Sequence, residues 1–319
     1  MKQKQQVNTF KKVTINNNEQ WLLIRGKDAN APLLLHVQAG PGLPIVPEAQ
    51  ALEKALHLED YFLVAYWDQR ACGKSFNKQI DSESITLNQL SDDILACAKY
   101  LLDQYNKQQL IVLGQSIGAT LSLMAAAKDS SMFSQLFLAS IDVNIPEAND
   151  YALEFARAKA QELGKGRLSR QIERLAQKPM TTSKPFQERA KIITNLGGMK
   201  TGTTYNQMVF STVKNMLASK HYSLSDISKT IKGMAFSQDA LLPELNTFIL
   251  SDVVQKVNTP VHFMHGKQDG ISPFESVVAY YNQLKAPKKS FTAFEHSAHM
   301  LVYEEPEKFK RMLLEQQLA

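Results

Sequence analysis

The chain has 319 residues, 44% of them hydrophobic and 21% charged, enough for one large α/β domain with an insertion or for two ordinary domains. That balance excludes wholesale disorder and collagen-like repeats, and two cysteines, Cys72 and Cys97, are too few for a disulfide framework. A formal charge of +5 with Lys and Arg interleaved among acids leaves no basic tract, so no nucleic-acid partner is expected.

The N-terminal stretch MKQKQQVNTFKKVT is positive but has no apolar h-region and no small-residue cleavage site, so it does not read as a secretory signal. No apolar run approaches the roughly eighteen residues a membrane span needs. A location in the reducing cytoplasm, with no membrane partner, is the expectation. The segment KKVTINNNEQWLLIRG alternates polar and apolar residues around an Asn-rich break, which predicts an opening hairpin. Compact apolar runs then follow: LLLHV (33–37), YFLVAYW (61–67), LIVLG (110–114) and LFLAS (136–140). Their length and composition predict strands buried on both faces. Helical stretches lie between them, LNQLSDDILACAKYLLDQY (87–105) and IGATLSLMAAAK (117–128) among them. Strands alternating with helices imply crossover connections and a mainly parallel sheet.

That rhythm stops near Asn144. Helix-period segments such as YALEFARAKAQEL (151–163) and QIERLAQK (171–178) then dominate for about a hundred residues, before TPVHFMHG (259–266), FESVVAYYNQL (274–284), KSFTAFE (289–295) and a closing helix from about Pro306 resume the alternation. Residues 1–144 and 253–319 are therefore read as one core, and residues 145–252 as a helical cap inserted after the sixth strand, because the sheet needs both flanks to be complete.

The chemistry centres on Gly114-Gln115-Ser116-Ile117-Gly118, which directly follows a buried strand and directly precedes a helix. A G-x-S-x-G serine in that setting sits on a sharp strand-to-helix turn as an exposed nucleophile, with small neighbours to clear the turn. Such a serine needs a base oriented by an acid, in the chain order Ser, Asp or Glu, His. Asp269, in HGKQDGISP past a strand, is the preferred acid, and Asp142, in SIDVN after the preceding strand, is its competitor. His299, in FEHSAHML after the last strand, is the preferred base over neighbouring His296. The remaining histidines read as strand, helix or surface positions, and no paired spacing suggests a metal. Oxyanion donors would be the backbone N–H groups of Ile117 and of Gly40 in the loop Gln38-Ala39-Gly40-Pro41-Gly42, where Pro41 has none to offer. No cofactor is needed for this chemistry. The segment WDQRACGKS (67–75) ends like a P-loop but has Asp68 where that motif needs glycine, so Asp68 and Arg70 are read as bracing the loop beneath the site.

Together QAGPG, WDQRACGKS, GQSIG, GKQDGISP and FEHSAHMLVYEEPEKF resemble the proline iminopeptidase (prolyl aminopeptidase) branch of the α/β-hydrolase superfamily, over roughly residues 30–145 and 255–315. Family members carry HGGPG and WDQRGxGxS where this chain has QAGPG and WDQRACGKS, so Gln38 and Ala39 depart from the pattern while Gly40 is kept. The resemblance implies an α/β-hydrolase fold with an eight-stranded-type sheet, a capped site and a nucleophile, base and acid at Ser116, His299 and Asp269. It also implies hydrolysis of small peptides with a small N-terminal residue. The family holds the substrate amine with cap carboxylates; Glu154, Glu162, Glu173 and Glu188 are available here, each reading as a solvated helix-face charge. An esterase acting on another small molecule is the alternative within the same chemistry, and a non-catalytic binding protein, motivated by the altered QAGPG loop, is the alternative outside it.

Overall fold

In the computed structural model, which describes residues 5–318, the opening hairpin pairs β1 (Val7–Ile15) with β2 (Asn18–Gly26) through Asn16 and Asn17, both at positive φ. Asparagine tolerates that left-handed conformation, and its mirror-type turn matches the twist of the strands. The first four residues of the stretch read as carrying no leader lie outside the description.

Six further strands follow, β3 (Leu33–Val37), β4 (Leu63–Asp68), β5 (Leu110–Gln115), β6 (Phe133–Ala139), β7 (Val261–Gly266) and β8 (Lys289–Phe294). They build one eight-stranded sheet in the order β1-β2-β4-β3-β5-β6-β7-β8, antiparallel at β1/β2 and β2/β4 and parallel beyond. β3, β4, β5 and β7 are buried along their whole length. Their uninterrupted apolar runs are what a strand covered on both faces requires. One face packs on α2 (Leu87–Tyr105) and α3 (Ile117–Lys128), and the other on α1 (Ala49–Leu56) and α12 (Pro306–Leu318). Because β3 to β8 run the same way, the loops that leave their C-terminal ends converge at one edge, where ligands gather in such sheets.

Five long helices fill most of the stretch between β6 and β7: α4 (Ile145–Glu162), α5 (Gly166–Ala176), α6 (Ser183–Asn195), α7 (Tyr205–Ala218) and α8 (Leu224–Leu245). The two ends of this insertion are tied together by backbone bonds, Ile145 N–H to Phe248 O at 3.0 Å and Leu250 N–H to Val143 O at 2.8 Å. Ala152, Ala156, Ala160, Ile172, Leu175 and Ile193 give it a small apolar cluster of its own. The boundary read at 252 falls inside a short helical turn, α9 (Leu250–Val253), whose Leu250 belongs to the main core.

The bracing segment at residues 68–75 behaves as its composition suggests. Asp68 Oδ1 accepts the N–H groups of Ile45 and Val46 at 3.0 Å each, and Oδ2 accepts Lys74 N–H and the Tyr222 hydroxyl. Burial raises its carboxyl to about 6 against those hydrogen bonds. Arg70 makes a two-point pair with Asp93, Nε to Oδ2 at 2.7 Å and Nη2 to Oδ1 at 2.9 Å, with side-chain exposures of 6% and 1%. Breaking one side of such a pair strands a buried charge. Asp93→Asn is expected to cost about 3–5 kcal/mol, read as a lower urea midpoint at unchanged slope.

Candidate active site

Ser116 is the residue between β5 and α3, at φ 54° and ψ −129°. A side chain held there is strained, and the surrounding packing explains how the turn persists. A Cβ on Gly114 would stand 2.6 Å from Ala119 Cα, and one on Gly118 2.4 Å from the carbonyl oxygens of Val37 and Gln38. Only glycine lets α3 start this close to the ends of β5 and β3. Ser116 N–H is itself bonded to Ala139 O at 2.8 Å.

From that turn a line of hydrogen bonds runs through residues far apart in sequence. Ser116 Oγ lies 3.0 Å from His299 Nε2, and His299 Nδ1 lies 2.8 Å from Asp269 Oδ2. Asp269 Oδ1 accepts the N–H groups of Ile271 and Ser272 at 2.8 and 2.9 Å, which fixes the carboxylate in its loop. His299 is anchored too: its O accepts Ser140 Oγ at 2.7 Å, and Glu304 accepts the neighbouring Ala298 N–H at 2.9 Å. All three side chains are buried, at 6%, 5% and 1% exposure for Ser116, His299 and Asp269. Burial disfavours the charged imidazole, but the Asp269 charge and hydrogen bond, with Asp142 and Glu304 adding, outweigh it and raise His299 above its ordinary value. Burial likewise opposes the Asp269 charge, and His299 and His265 together with the Ser272 N–H hold its carboxyl below the usual range.

Gly40 and Ile117, read as oxyanion donors, are neighbours: a Cβ on Gly40 would stand 3.5 Å from Ile117 Cγ2, and both line the cavity that contains Ser116. Ile117 opens α3, so its N–H has no acceptor within the helix. His296 is exposed and takes no part. Asp142, the competing acid, does not reach His299; it accepts the Ser116 hydroxyl on Oδ2 at 3.0 Å and the Ser272 hydroxyl on Oδ1. Sequence reasoning missed His265, whose Nε2 lies 3.4 Å from Asp269 Oδ2 and 2.9 Å from Ser272 O. Its spacing of four from Asp269, across the end of β7, was the available signal.

The cavity above Ser116 has a volume of about 540 Å³ and lies between the sheet edge and α4, α6, α7 and α8. Its walls are largely apolar, with Met208, Met216, Ile227 and Met234 among them, and its ionisable side chains include Glu48, Asp142, Arg189 and Lys200. Burial raises Glu48 to about 7 against a hydrogen bond from Asn215, and lowers Arg189 to about 10 against the nearby Asp142 charge. The insertion is tied to the acid and base loops by Gly270 N–H to Gly198 O, by Met300 N–H to Met199 O and by the Tyr151 hydroxyl to Asp269 O, each at 2.9 Å. Glu154, Glu162 and Glu173 are exposed, and Glu188 is bound to Lys178 and Gln171; none lines the cavity.

The family model described as serine aminopeptidase, S33, matches residues 49–306. The chain belongs to that family. Among curated proteins it is 30% identical over 318 residues to one from Bacillus subtilis (strain 168) named "Probable aminopeptidase YbaC", covering 98% of this chain and 96% of that one. Among solved structures, a proline iminopeptidase-related protein from Thermus thermophilus superposes with a TM-score of 0.67 at 17% identity, covering 97% and 96% of the two chains. The proline iminopeptidase of Mycobacterium smegmatis gives a TM-score of 0.67 at 18% identity, with 96% of each chain covered. At those identities the structural matches speak for the fold, which is the α/β-hydrolase fold, as the resemblance implied. This S33 member is a serine hydrolase. Among the described residues no helix is long and apolar enough to cross a membrane.

Proposed function

We propose that the protein is an aminopeptidase that releases a small N-terminal residue, proline among the candidates, from short peptides through an acyl-enzyme. The observation that carries this reading is the unbroken hydrogen-bonded line Ser116–His299–Asp269, with Ser116 and His299 lining the cavity. Ser116 Oγ adds to the scissile carbonyl as its proton passes to His299 Nε2, and the carbonyl π pair moves onto oxygen between the N–H groups of Gly40 and Ile117. Collapse expels the peptide amine, which takes the proton from His299. Water, giving a proton to the same imidazole, then adds to the ester, and collapse returns that proton to Ser116 Oγ as the amino acid leaves. Asp269 holds the imidazole with its proton on Nδ1 and stabilises the imidazolium.

The aminopeptidase name of the curated relative and the S33 match support the peptide half of this reading. The apolar cavity walls favour, as a second reading, esters of small apolar acids. One panel separates the two: free L-prolyl and L-alanyl 4-nitroanilides, their N-acetyl counterparts, and 4-nitrophenyl acyl esters. An aminopeptidase cleaves the free-amine anilides at least about 100-fold faster than the N-acetylated ones. Equal turnover of both, or turnover of esters alone, assigns the site to acyl esters.

A further inference from the structure

The Ser116 hydroxyl has one proton and two acceptors at the same distance, His299 Nε2 at 3.0 Å and Asp142 Oδ2 at 3.0 Å. An ionised acceptor makes the stronger hydrogen bond. With Asp142 charged, the proton is drawn away from the base that must receive it. Asp142 is 7% exposed and lines the cavity, and its protein partners are two hydroxyls, those of Ser116 and Ser272. Among the described residues no Lys, Arg or His nitrogen stands within ion-pair distance of it. Arg189, on the same cavity wall, is near enough to feel the Asp142 charge but is hydrogen-bonded to Asn149 and makes no ion pair with that carboxylate. A buried carboxylate is normally paired with a cation, and the open side of this one faces the space where the substrate must lie.

We propose that Asp142 is the specificity determinant of this site, holding the Ser116 proton in the resting enzyme and releasing it when an acyl group with a positively charged α-amine pairs with the carboxylate. The inference rests on the aminopeptidase reading and adds to it a residue of the loop after β6 and a reason for the selectivity. For attack, the carbonyl carbon must come within about 3–3.5 Å of Ser116 Oγ. An amine on the adjacent carbon then lies within reach of an oxygen that is itself 3.0 Å from Oγ. The tetrahedral intermediate is an anion, and an unpaired carboxylate beside it works against its formation. An α-ammonium cancels that repulsion and leaves the hydroxyl proton to His299. A neutral acyl group does neither, and an acyl group with its own carboxylate meets like charge.

The test is Asp142→Asn, which keeps the shape and can still bond to both hydroxyls. L-Alanyl 4-nitroanilide is compared with 4-nitrophenyl propionate, whose acyl group lacks the amine, and labelling of Ser116 by a neutral fluorophosphonate reports an intact, folded site. The expected result is a crossing. The specificity constant for L-alanyl 4-nitroanilide falls roughly 30-fold or more, mainly through KM, while that for the propionate ester and the labelling rate both rise. A parallel fall on both substrates marks a structural role and overturns the proposal, as does no change on either. An amine-specific loss in Glu48→Gln in place of Asp142→Asn assigns the amine to Glu48, whose Oε1 has no partner although Asn215 holds Oε2, and overturns it too. A wild-type enzyme that cleaves the propionate ester but no free-amine anilide overturns the aminopeptidase reading itself. Wild-type activity on both, with no crossing in the variant, overturns only the role given to Asp142.

Discussion

Ser116→Ala is expected to lower kcat by about 10⁴- to 10⁶-fold on every acyl substrate the enzyme accepts, with the melting temperature little changed. The change removes the oxygen that forms the covalent bond and leaves the rest of the site standing. Ser116 already occupies φ 54°, so alanine inherits the same backbone strain without adding to it. Residual turnover would come from substrate binding and from the Gly40 and Ile117 donors acting on attack by water. Steady-state kinetics, with loss of fluorophosphonate labelling as a second readout, checks the result. Turnover within tenfold of wild type would remove Ser116 from the chemistry.

Asp269→Asn is expected to cost about 10⁴-fold in kcat at neutral pH and to move the acidic limb of the pH profile. The effect begins with the proton on His299. Asp269 Oδ2 accepts from Nδ1 at 2.8 Å, so Nε2, 3.0 Å from Ser116 Oγ, is free to receive a proton. An asparagine amide donates to Nδ1 and forces the ring proton onto Nε2, where it blocks the nucleophile. The sign of the pH effect follows from the raised imidazole. A neutral imidazole is the working form, so kcat/KM in the wild type rises with pH through a value above the ordinary 6.5 of histidine. The Asp269 charge is the largest influence holding it up, so the variant's limb shifts to lower pH. An unshifted limb with unchanged kcat would show that Asp269 is not the orienting acid.

Much of this architecture could be read from local pattern. The apolar runs at 33–37, 110–114 and 259–266 became buried parallel strands because a strand covered on both faces needs no alternation, and few other elements share that composition at that length. The Gly-flanked serine was legible because its turn leaves room for nothing larger than hydrogen at Gly114 and Gly118. Asp269 and His299 were legible through their positions at strand ends, which a parallel sheet brings to one edge.

Asp142 shows where that reasoning stops. At the end of β6 it had the same local credentials as Asp269 at the end of β7, and its residue type allowed the same role. The structure separates them by their contacts: Asp269 faces His299, and Asp142 faces Ser116 and Ser272. His265 was passed over for a related reason. Its ring is buried against Asp269 only once β7 has passed into its loop.

The sequence by itself determined the strand and helix order, the glycine-flanked turn at Ser116, an aspartate and a histidine placed at strand ends, and a helical stretch after β6, because each depends on the shape and polarity of near neighbours. The tertiary structure decided which carboxylate meets His299 and which meets Ser116. It also decided that the insertion's glutamates stay out of the cavity, and that Glu48 and Arg189 share it with Asp142. Those outcomes turn on a few ångströms between residues more than a hundred positions apart in several cases, a separation that only the packing of the sheet and the inserted helices sets.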